Sequence, residues 1–205
     1  MNKVILKTAI FTVLALIVAT ILTIVGVFAF APKFAGNCCY ELGLKGLAVD
    51  CYERVYMETG EFEDLVELVN CGVYAQDDTI VSNYGEEMIG RKVEFKNFCD
   101  NADVDVEFTD GAYTTYDYYV NAIMLAKYAL NEKQEAVDFV FRTLFVNGYT
   151  ENSALKMLVN MVSSEEGLGD LLVEGYMNLE PGSRYGFTNH QTFRDEMKEL
   201  GYTIS

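Results

Sequence analysis

Reactive side chains are few in this 205-residue chain, and most of them are thiols. The five cysteines are Cys38, Cys39, Cys51, Cys71 and Cys99, and the single histidine is His190. A structural zinc site takes four Cys or His ligands, usually as closely spaced pairs, and no C-x-x-C pair occurs here. Five cysteines cannot all pair within one chain. Cys51 and Cys71 fall in helical patterns typical of buried free thiols, whereas an oxidising compartment would allow some disulfides, and both alternatives stay open.

Other patterns that carry catalysis do not occur: no G-x-S-x-G, no phosphate-binding glycine loop and no H-E-x-x-H. His190 falls at the start of a predicted helix, where we expect an exposed or helix-capping side chain. The acidic run over residues 100–107 offers clustered oxygens of the kind that bind calcium, but it lacks the turn glycine of an EF-hand. We expect a solvated acidic loop there. The sequence therefore predicts no catalytic residue, no metal and no cofactor.

The charge of the chain is unevenly distributed. Residues 1–33 hold three of the 15 basic residues and none of the 31 acidic ones, so the remainder carries a net charge of -19 within a whole-chain charge of -16. An acidic surface repels phosphate backbones, which makes nucleic acid a poor partner. A basic protein surface or bound cations would suit it better, and the alternative is that the charge only keeps the domain soluble.

An uncharged run from Thr8 to Ala31 has the composition of a membrane span. At about 1.5 Å per residue it reaches roughly 35 Å, enough to cross a hydrocarbon core of ~30 Å. Pro32 follows the small-x-small pattern at residues 29–31 and disfavours cleavage there, although a removed signal peptide is the alternative. We predict a cytoplasmic stub and transmembrane anchor over residues 1–33, followed by one acidic helical domain over residues 34–205.

The flanking charges predict the orientation of this anchor. Lys3, Lys7 and the amino terminus precede the span, whereas Lys33 follows it and Glu41 comes soon after. The positive-inside bias places the N-terminus in the cytoplasm and the domain outside the cell membrane.

One stripe of the predicted span carries small residues. Thr12, Ala15, Ala19 and Gly26 are spaced so that they share a helix face. Small side chains permit close backbone approach between helices in lipid, so the stripe indicates a possible homodimer. Alanine and threonine are also ordinary in membrane spans, so the alternative is an anchor that stays single.

Apolar residues beyond the span recur with helical spacing. Residues 40–59 form a predicted helix that stops at Gly60, and acids at residues 61–64 open a second helix. A second predicted hairpin begins near Thr115, turns at Asn131 and stops near residues 147–148.

Three further helices are predicted after this hairpin. They cover residues 151–162, a segment opened by the capping box Ser163-x-x-Glu166, and residues 188–201. We interpret residues 78–113 as an irregular insertion in which 78–89 are helical and 104–108 alternate like a lone strand.

The two hairpins, over residues 44–77 and 115–147, resemble the tetratricopeptide-like family of helical repeats. Tyr56 stands at the aromatic of the first helix, Gly60 and Phe62 match the turn, and Asn131 and Ala136 occupy the equivalent turn and small positions of the second hairpin. The chain departs from the motif at four positions: Glu53, Met124, Leu65 and Asp77. The predicted fold is therefore all-α, with the N-terminal transmembrane helix followed by a hairpin-repeat domain or an irregular helical bundle.

The resemblance implies binding of a protein or peptide along the first helices of the hairpins. Carried over position by position, this surface contains Asp50, Arg54, Met57, Tyr118, Asn121, Leu125 and Tyr128. We expect a membrane-anchored, non-catalytic interaction or scaffold protein, and the alternative is a cell-envelope enzyme or accessory subunit with an acidic pocket.

Overall fold

The computed structural model describes residues 3–101, 115–146 and 153–204, and over these ranges it contains twelve α-helices and no strand. The predicted all-α fold with an apolar N-terminal helix is confirmed. The strand-like residues 104–108, most of the acidic run and the helix stop at 147–148 lie outside the described residues. The helices are α1 (Lys3–Phe30), α2 (Pro32–Glu41), α3 (Lys45–Thr59), α4 (Phe62–Ala75), α5 (Asp78–Gly90), α6 (Lys92–Asn101), α7 (Thr115–Ala129), α8 (Lys133–Thr143), α9 (Ser153–Met161), α10 (Leu168–Asn178), α11 (Pro181–Arg184) and α12 (His190–Glu199).

The helices form two compact units. The first unit extends to Ala75 and contains α1 to α4, and the second unit begins at Gln76 and contains α5 to α12.

Helix α1 is long and apolar enough to cross a membrane. Its uncharged stretch from Ile10 to Phe30 comprises 21 residues, which is about 31 Å of helix. None of this stretch is buried, and large apolar side chains such as Phe11 are 70% exposed. Only residues 26–29, in the last turn, are partly covered by the protein.

Helices α3 and α4 form the first predicted hairpin. Gly60 adopts the left-handed conformation (φ 66°) that ends α3, and its N–H bonds the carbonyl of Tyr56, so the predicted turn is confirmed. The predicted helix over residues 40–59 is wrong in one respect. It is broken at Gly43, whose φ of 71° separates α2 from α3.

The core of the first unit comes from apolar faces of its short helices. Leu65, Leu68 and Val69 of α4 and Ala48 of α3 have no measurable exposure. Helix α3 packs against both α2 and α4. Helices α2 and α3 are closely packed at Gly36, where an added Cβ would lie 3.2 Å from the Cβ of Cys51, a tight contact.

The second unit contains the second predicted hairpin, α7 and α8. Asn131 turns it with a φ of 63°, as predicted. Helix α5 packs on α7, where Gly85 lies so close to Ile123 that an added Cβ would meet its Cγ1 at 2.5 Å. Asp77 caps α5 by accepting a hydrogen bond from the N–H of Ile80 at 3.1 Å.

Several predicted boundaries in the second unit are wrong. Residues 92–101 form α6 where an irregular insertion was predicted, because Phe95 is fully buried and anchors the segment. The capping box at Ser163 does not open a helix. Helix α10 begins at Leu168 because Gly167 (φ 79°) sets a left-handed turn directly before it.

Candidate functional site

Helix α7 exposes the strip that the repeat resemblance assigned to a partner. Leu125 is 44% exposed, and Tyr118, Asn121 and Tyr128 are partly exposed. Their spacing of three or four residues places them on one face of a helix. The opposite face carries the fully buried residues Val120, Ile123 and Met124. The packing of α7 therefore leaves Leu125 exposed and two tyrosines and one asparagine partly exposed, and these four residues are here called the α7 strip.

Hydrogen bonds fix one end of the α7 strip to the start of α9. Asn121 Nδ2 donates to Ser153 Oγ at 2.7 Å. The N–H of Ser153 donates to Asp117 Oδ1 at 3.2 Å. A carboxylate at this place satisfies one of the unbonded N–H groups in the first turn of α9.

The other end of the α7 strip lies beside an ion pair. Lys133 Nζ is 2.7 Å from Glu165 Oε2 and 5.5 Å from the ring centroid of Tyr128. Burial raises the pKa of Tyr128 and the nearby Glu165 charge adds to the effect. The phenol of Tyr128 therefore stays neutral at physiological pH.

The remaining predicted partner-binding residues lie on α3 of the first unit. Asp50 and Arg54 are exposed, and Met57 is 71% exposed. Arg54 is already engaged within the unit. Its guanidinium donates to the carbonyls of Phe28 at 3.1 Å and Ala29 at 3.0 Å, and its Nε lies 2.8 Å from Glu58 Oε1. Sequence reasoning did not predict this contact with the end of α1.

A cavity of about 280 Å³ lies between α7, α9 and α12 of the second unit. Apolar side chains form part of its wall, and Asp117, Lys156 and Glu196 carry charge there. The residues that line it are Asp117, Leu144, Ser153, Leu155, Lys156, Val159, Phe187, Asn189, Thr192, Phe193 and Glu196. No sequence motif signals this cavity, because its residues come from separate helices.

Each of the two units contains a cluster of three ion-paired side chains. In the first unit, Lys33 Nζ lies 2.8 Å from Asp64 Oδ1 and 2.9 Å from Glu67 Oε2. The hydrogen bond from Lys33 lowers the pKa of Asp64 against the opposing effect of burial, and Thr59 adds a further bond of 2.7 Å. Helix α4 thereby holds the lysine that follows α1.

The cluster in the second unit joins Glu86 to two cations. Lys127 Nζ lies 2.8 Å from Glu86 Oε2, and Arg142 Nη2 lies 2.7 Å from Glu86 Oε1. The side chain of Lys127 is 7% exposed, whereas those of Glu86 and Arg142 are 41% and 52% exposed. Burial alone raises the pKa of Glu86, but the two cations outweigh it and the net pKa is lowered.

All five cysteines are free thiols in this structure. Cys39, Cys51 and Cys71 are buried, so the interpretation of Cys51 and Cys71 as buried thiols is confirmed. Burial raises the pKa of Cys71 to about 11 and that of Cys99 to about 12, which keeps both thiols protonated and unreactive at neutral pH.

His190 and the acidic side chains form no metal centre within the described ranges. No group of three or more His, Cys, Asp or Glu side chains there is arranged to hold a metal ion. His190 is the first residue of α12 and lies against two rings, 5.4 Å from the centroid of Tyr185 and 6.0 Å from that of Phe187. Asn189, not His190, is the N-cap of α12, and no side-chain hydrogen bond caps this helix, so the predicted capping role of His190 is wrong.

The small residues that were predicted to form a stripe lie on an uncovered surface of α1, except at its end. Thr12, Ala15 and Ala19 are exposed, whereas Gly26 is partly covered by the first unit. The Thr12 hydroxyl donates to the carbonyl of Thr8 at 3.0 Å, so this donor is satisfied within its own helix.

Comparisons of the chain with protein-family models, curated proteins and solved structures found no match. The resemblance to helical repeats therefore still rests on the residues of the two hairpins.

Proposed function

We propose that this chain is a single-pass membrane protein whose helical domain binds a protein or peptide and performs no catalysis itself. The observation that carries this proposal is the α7 strip. Tyrosine and leucine side chains are the kind that dominate binding energy at protein interfaces. Here Leu125 is 44% exposed on a well-packed helix whose buried face holds it in place. A rigid surface of this kind binds a partner without a large cost in conformational entropy.

The membrane anchor and the acidic charge fit the same role. Helix α1 provides an uncharged stretch of 21 residues, and the remainder of the chain carries every acidic side chain. A partner with a basic surface would be attracted to the acidic domain, and the anchor would keep both at the membrane.

We infer that the N-terminus is cytoplasmic and that the helical domain lies outside the cell membrane. Lys3 and Lys7 precede α1. Lys33 follows it closely. Two lysines and the amino terminus before the uncharged stretch of the helix, against one lysine closely after it, favour a cytoplasmic N-terminus.

Site-specific photo-crosslinking in intact cells tests the proposed binding surface. A photoreactive residue at Leu125 of the full-length chain should give one discrete crosslinked species. The same residue at Lys198, which is exposed on α12, is the control and should not give that species. When the photoreactive residue is placed at position 128 instead, Leu125→Glu should abolish its crosslinking. The helical circular dichroism spectrum should stay unchanged. Identical products from Leu125 and Lys198, or none from either, would contradict the proposal.

The cavity between α7, α9 and α12 favours a second candidate, a cell-envelope enzyme or accessory subunit that holds a small molecule. Its charged residues, Asp117, Glu196 and Lys156, together suit a zwitterion such as a free amino acid. Thermal unfolding of the full chain with each of the common amino acids tests this alternative. A ligand that binds the folded state raises the melting temperature, and Lys156→Met should remove that increase. If no amino acid raises the melting temperature, the small-molecule alternative is excluded and only the interaction role remains.

A further inference from the structure

Helix α2 has an exposed apolar face. Phe34 and Leu42 are 60% and 73% exposed, Cys38 is exposed between them, and Phe30 at the end of α1 is 91% exposed. Phe34, Cys38 and Leu42 follow one another at intervals of four along α2 and its C-cap, which places them in one row, and Phe30 precedes this row across the junction with α1. They are here called the apolar ridge.

The other side of α2 is the packed one. Ala35, Gly36 and Cys39 are buried, and α2 packs against α3 of the same unit. The ridge therefore faces outward because the opposite face is already used. An outward row of two phenylalanines and a leucine needs an apolar environment to be favourable.

The ridge continues directly from the membrane-length helix. Only Ala31 separates α1 from α2, and backbone hydrogen bonds of 2.9 Å cross the junction from Ala31 to Val27 and from Ala35 to Ala31. Ala31 has a non-helical conformation (φ -139°, ψ 61°), and Pro32 follows it, so the chain bends here. A bend without a linker leaves α2 within a few ångströms of the point where α1 ends.

The depth of that point follows from the length of α1. A hydrocarbon layer of ~30 Å that begins at Ile10 ends near Phe30, and each interfacial layer adds roughly 5–7 Å. The Arg54 guanidinium bonds the carbonyls of Phe28 and Ala29, which suits this level, because a charge is costly deeper in the bilayer. Helix α2 therefore begins within the interfacial layer.

Charge also favours contact between α2 and lipid. Residues 32–40 contain no acid, and the first acidic residue after α1 is Glu41. The one charge of α2 before Glu41 is Lys33, whose ammonium is held by Asp64 at 2.8 Å. The strongly acidic remainder of the chain would be repelled by anionic headgroups, but this segment would not.

We propose that α2 is an interfacial helix whose apolar ridge lies in the headgroup and upper acyl layer of the bilayer. The inference rests on the proposed membrane anchoring and deepens it. The first unit would then be seated on the membrane surface through α2, in addition to being held by α1. Burial of Phe34 and Leu42 in lipid would restrict the angle at which the domain leaves the membrane.

Tryptophan fluorescence tests the inference cleanly because the chain contains no tryptophan. Phe34→Trp and Leu42→Trp place the probe on the ridge of the full-length protein in phosphatidylcholine vesicles. Ile17→Trp reports the span, and Tyr185→Trp, at a position 60% exposed in the second unit, reports water. Each variant is measured with lipids brominated at shallow or deep acyl positions, and separately with acrylamide.

Shallow brominated lipid should quench most of the fluorescence at residues 34 and 42, which acrylamide should quench little. Deep brominated lipid should quench residue 17, and acrylamide alone should quench residue 185. If residue 17 is quenched by lipid but residues 34 and 42 behave like residue 185, the ridge lies in water and the inference is wrong. If neither quencher reaches residues 34 and 42, a protein surface covers the ridge and the inference is again wrong. If residue 17 escapes the brominated lipids, the proposed anchoring itself fails.

Discussion

Arg54 of α3 donates a hydrogen bond of 3.1 Å to the carbonyl of Phe28, at the end of the membrane-length helix. In an uninterrupted helix this carbonyl would accept from the N–H of residue 32, but Pro32 has no N–H. The guanidinium supplies the missing donor, and its second nitrogen serves Ala29 at 3.0 Å. The bend after α1 is thus hydrogen-bonded to α3, the helix that packs against α2.

This relationship predicts a coupling between Arg54 and Pro32. Arg54→Gln should lower the free energy of unfolding of the first unit by about 1 kcal/mol, since hydrogen bonds to a charged group are worth roughly 1.5–3 kcal/mol and this side chain is half-exposed. Pro32→Ala restores an N–H for the Phe28 carbonyl and should reduce that loss. Unfolding of the four proteins of this double-mutant cycle in detergent micelles measures the coupling, and strictly additive effects would contradict it.

The turn at Gly60 predicts opposite effects for two glycine-to-alanine changes. Gly60 has a φ of 66° and open space around an added Cβ, so Gly60→Ala should destabilise by roughly 1–2 kcal/mol through backbone conformation alone. Gly46 is the second residue of α3, also with open space, and Gly46→Ala should stabilise by up to about 0.5 kcal/mol, less than in a helix interior. Chemical unfolding followed by circular dichroism compares the two, and equal effects would exclude this account of the turn.

The Glu86 cluster predicts an asymmetry among its three members. Glu86→Gln leaves the buried Lys127 ammonium without its carboxylate and should cost about 2–4 kcal/mol. Arg142→Gln removes an exposed partner and should cost under ~1 kcal/mol, and Lys127→Met should be nearly neutral because a methionine fills the same space. Urea unfolding of each variant gives these values, and similar losses for all three would refute the asymmetry.

The same carboxylate predicts the direction of a pH effect. The pKa of Glu86 is lower in the folded state than its ordinary value of 4.5, so its stabilisation is present above pH ~4.5 and is lost as the pH falls through the folded pKa. In acid titrations of stability, Glu86→Gln should therefore weaken the fall of the unfolding free energy with decreasing pH in this range. An unchanged pH dependence would contradict this assignment.

Features set by the local chain were predicted well from the sequence. Gly60 and Asn131 turn the two hairpins because their own backbone conformation decides the turn. The span of α1 follows from an unbroken apolar run, and the exposed positions of α7 follow from helical spacing.

Features that depend on distant contacts were not predicted. Helix α6 has only ten residues, and its anchor, Phe95, is buried against Tyr116 and Tyr119, with ring centroids at 6.3 and 6.2 Å. The helix start predicted at Ser163 was wrong, because the left-handed turn at Gly167 places the start of α10 at Leu168. The bonds of Arg54 to the end of α1 and the cavity lined by Asp117 and Glu196 join residues far apart in sequence, so no local pattern predicts them.

The small-residue stripe of the anchor predicts self-association that depends on close backbone approach. Ala15→Leu combined with Ala19→Leu should weaken association of the span in a membrane reporter assay, whereas the control Leu16→Ala should not. Cys39 is buried, so only Cys38 is placed to form a disulfide between two chains under non-reducing electrophoresis. Equal association of the wild-type and double-leucine spans would show that the anchor does not dimerise through this stripe.

The central claim, a helical domain held outside the cell by an N-terminal anchor, is tested most directly by thiol labelling in intact cells. In a Cys38→Ser background the four remaining cysteines are buried or half-buried, and this parent should stay unlabelled. Lys198→Cys adds a thiol at an exposed position of α12, and Asn2→Cys adds one before the span. A membrane-impermeant maleimide should label residue 198 before lysis and residue 2 only after lysis. Labelling of residue 198 only after lysis would contradict the account.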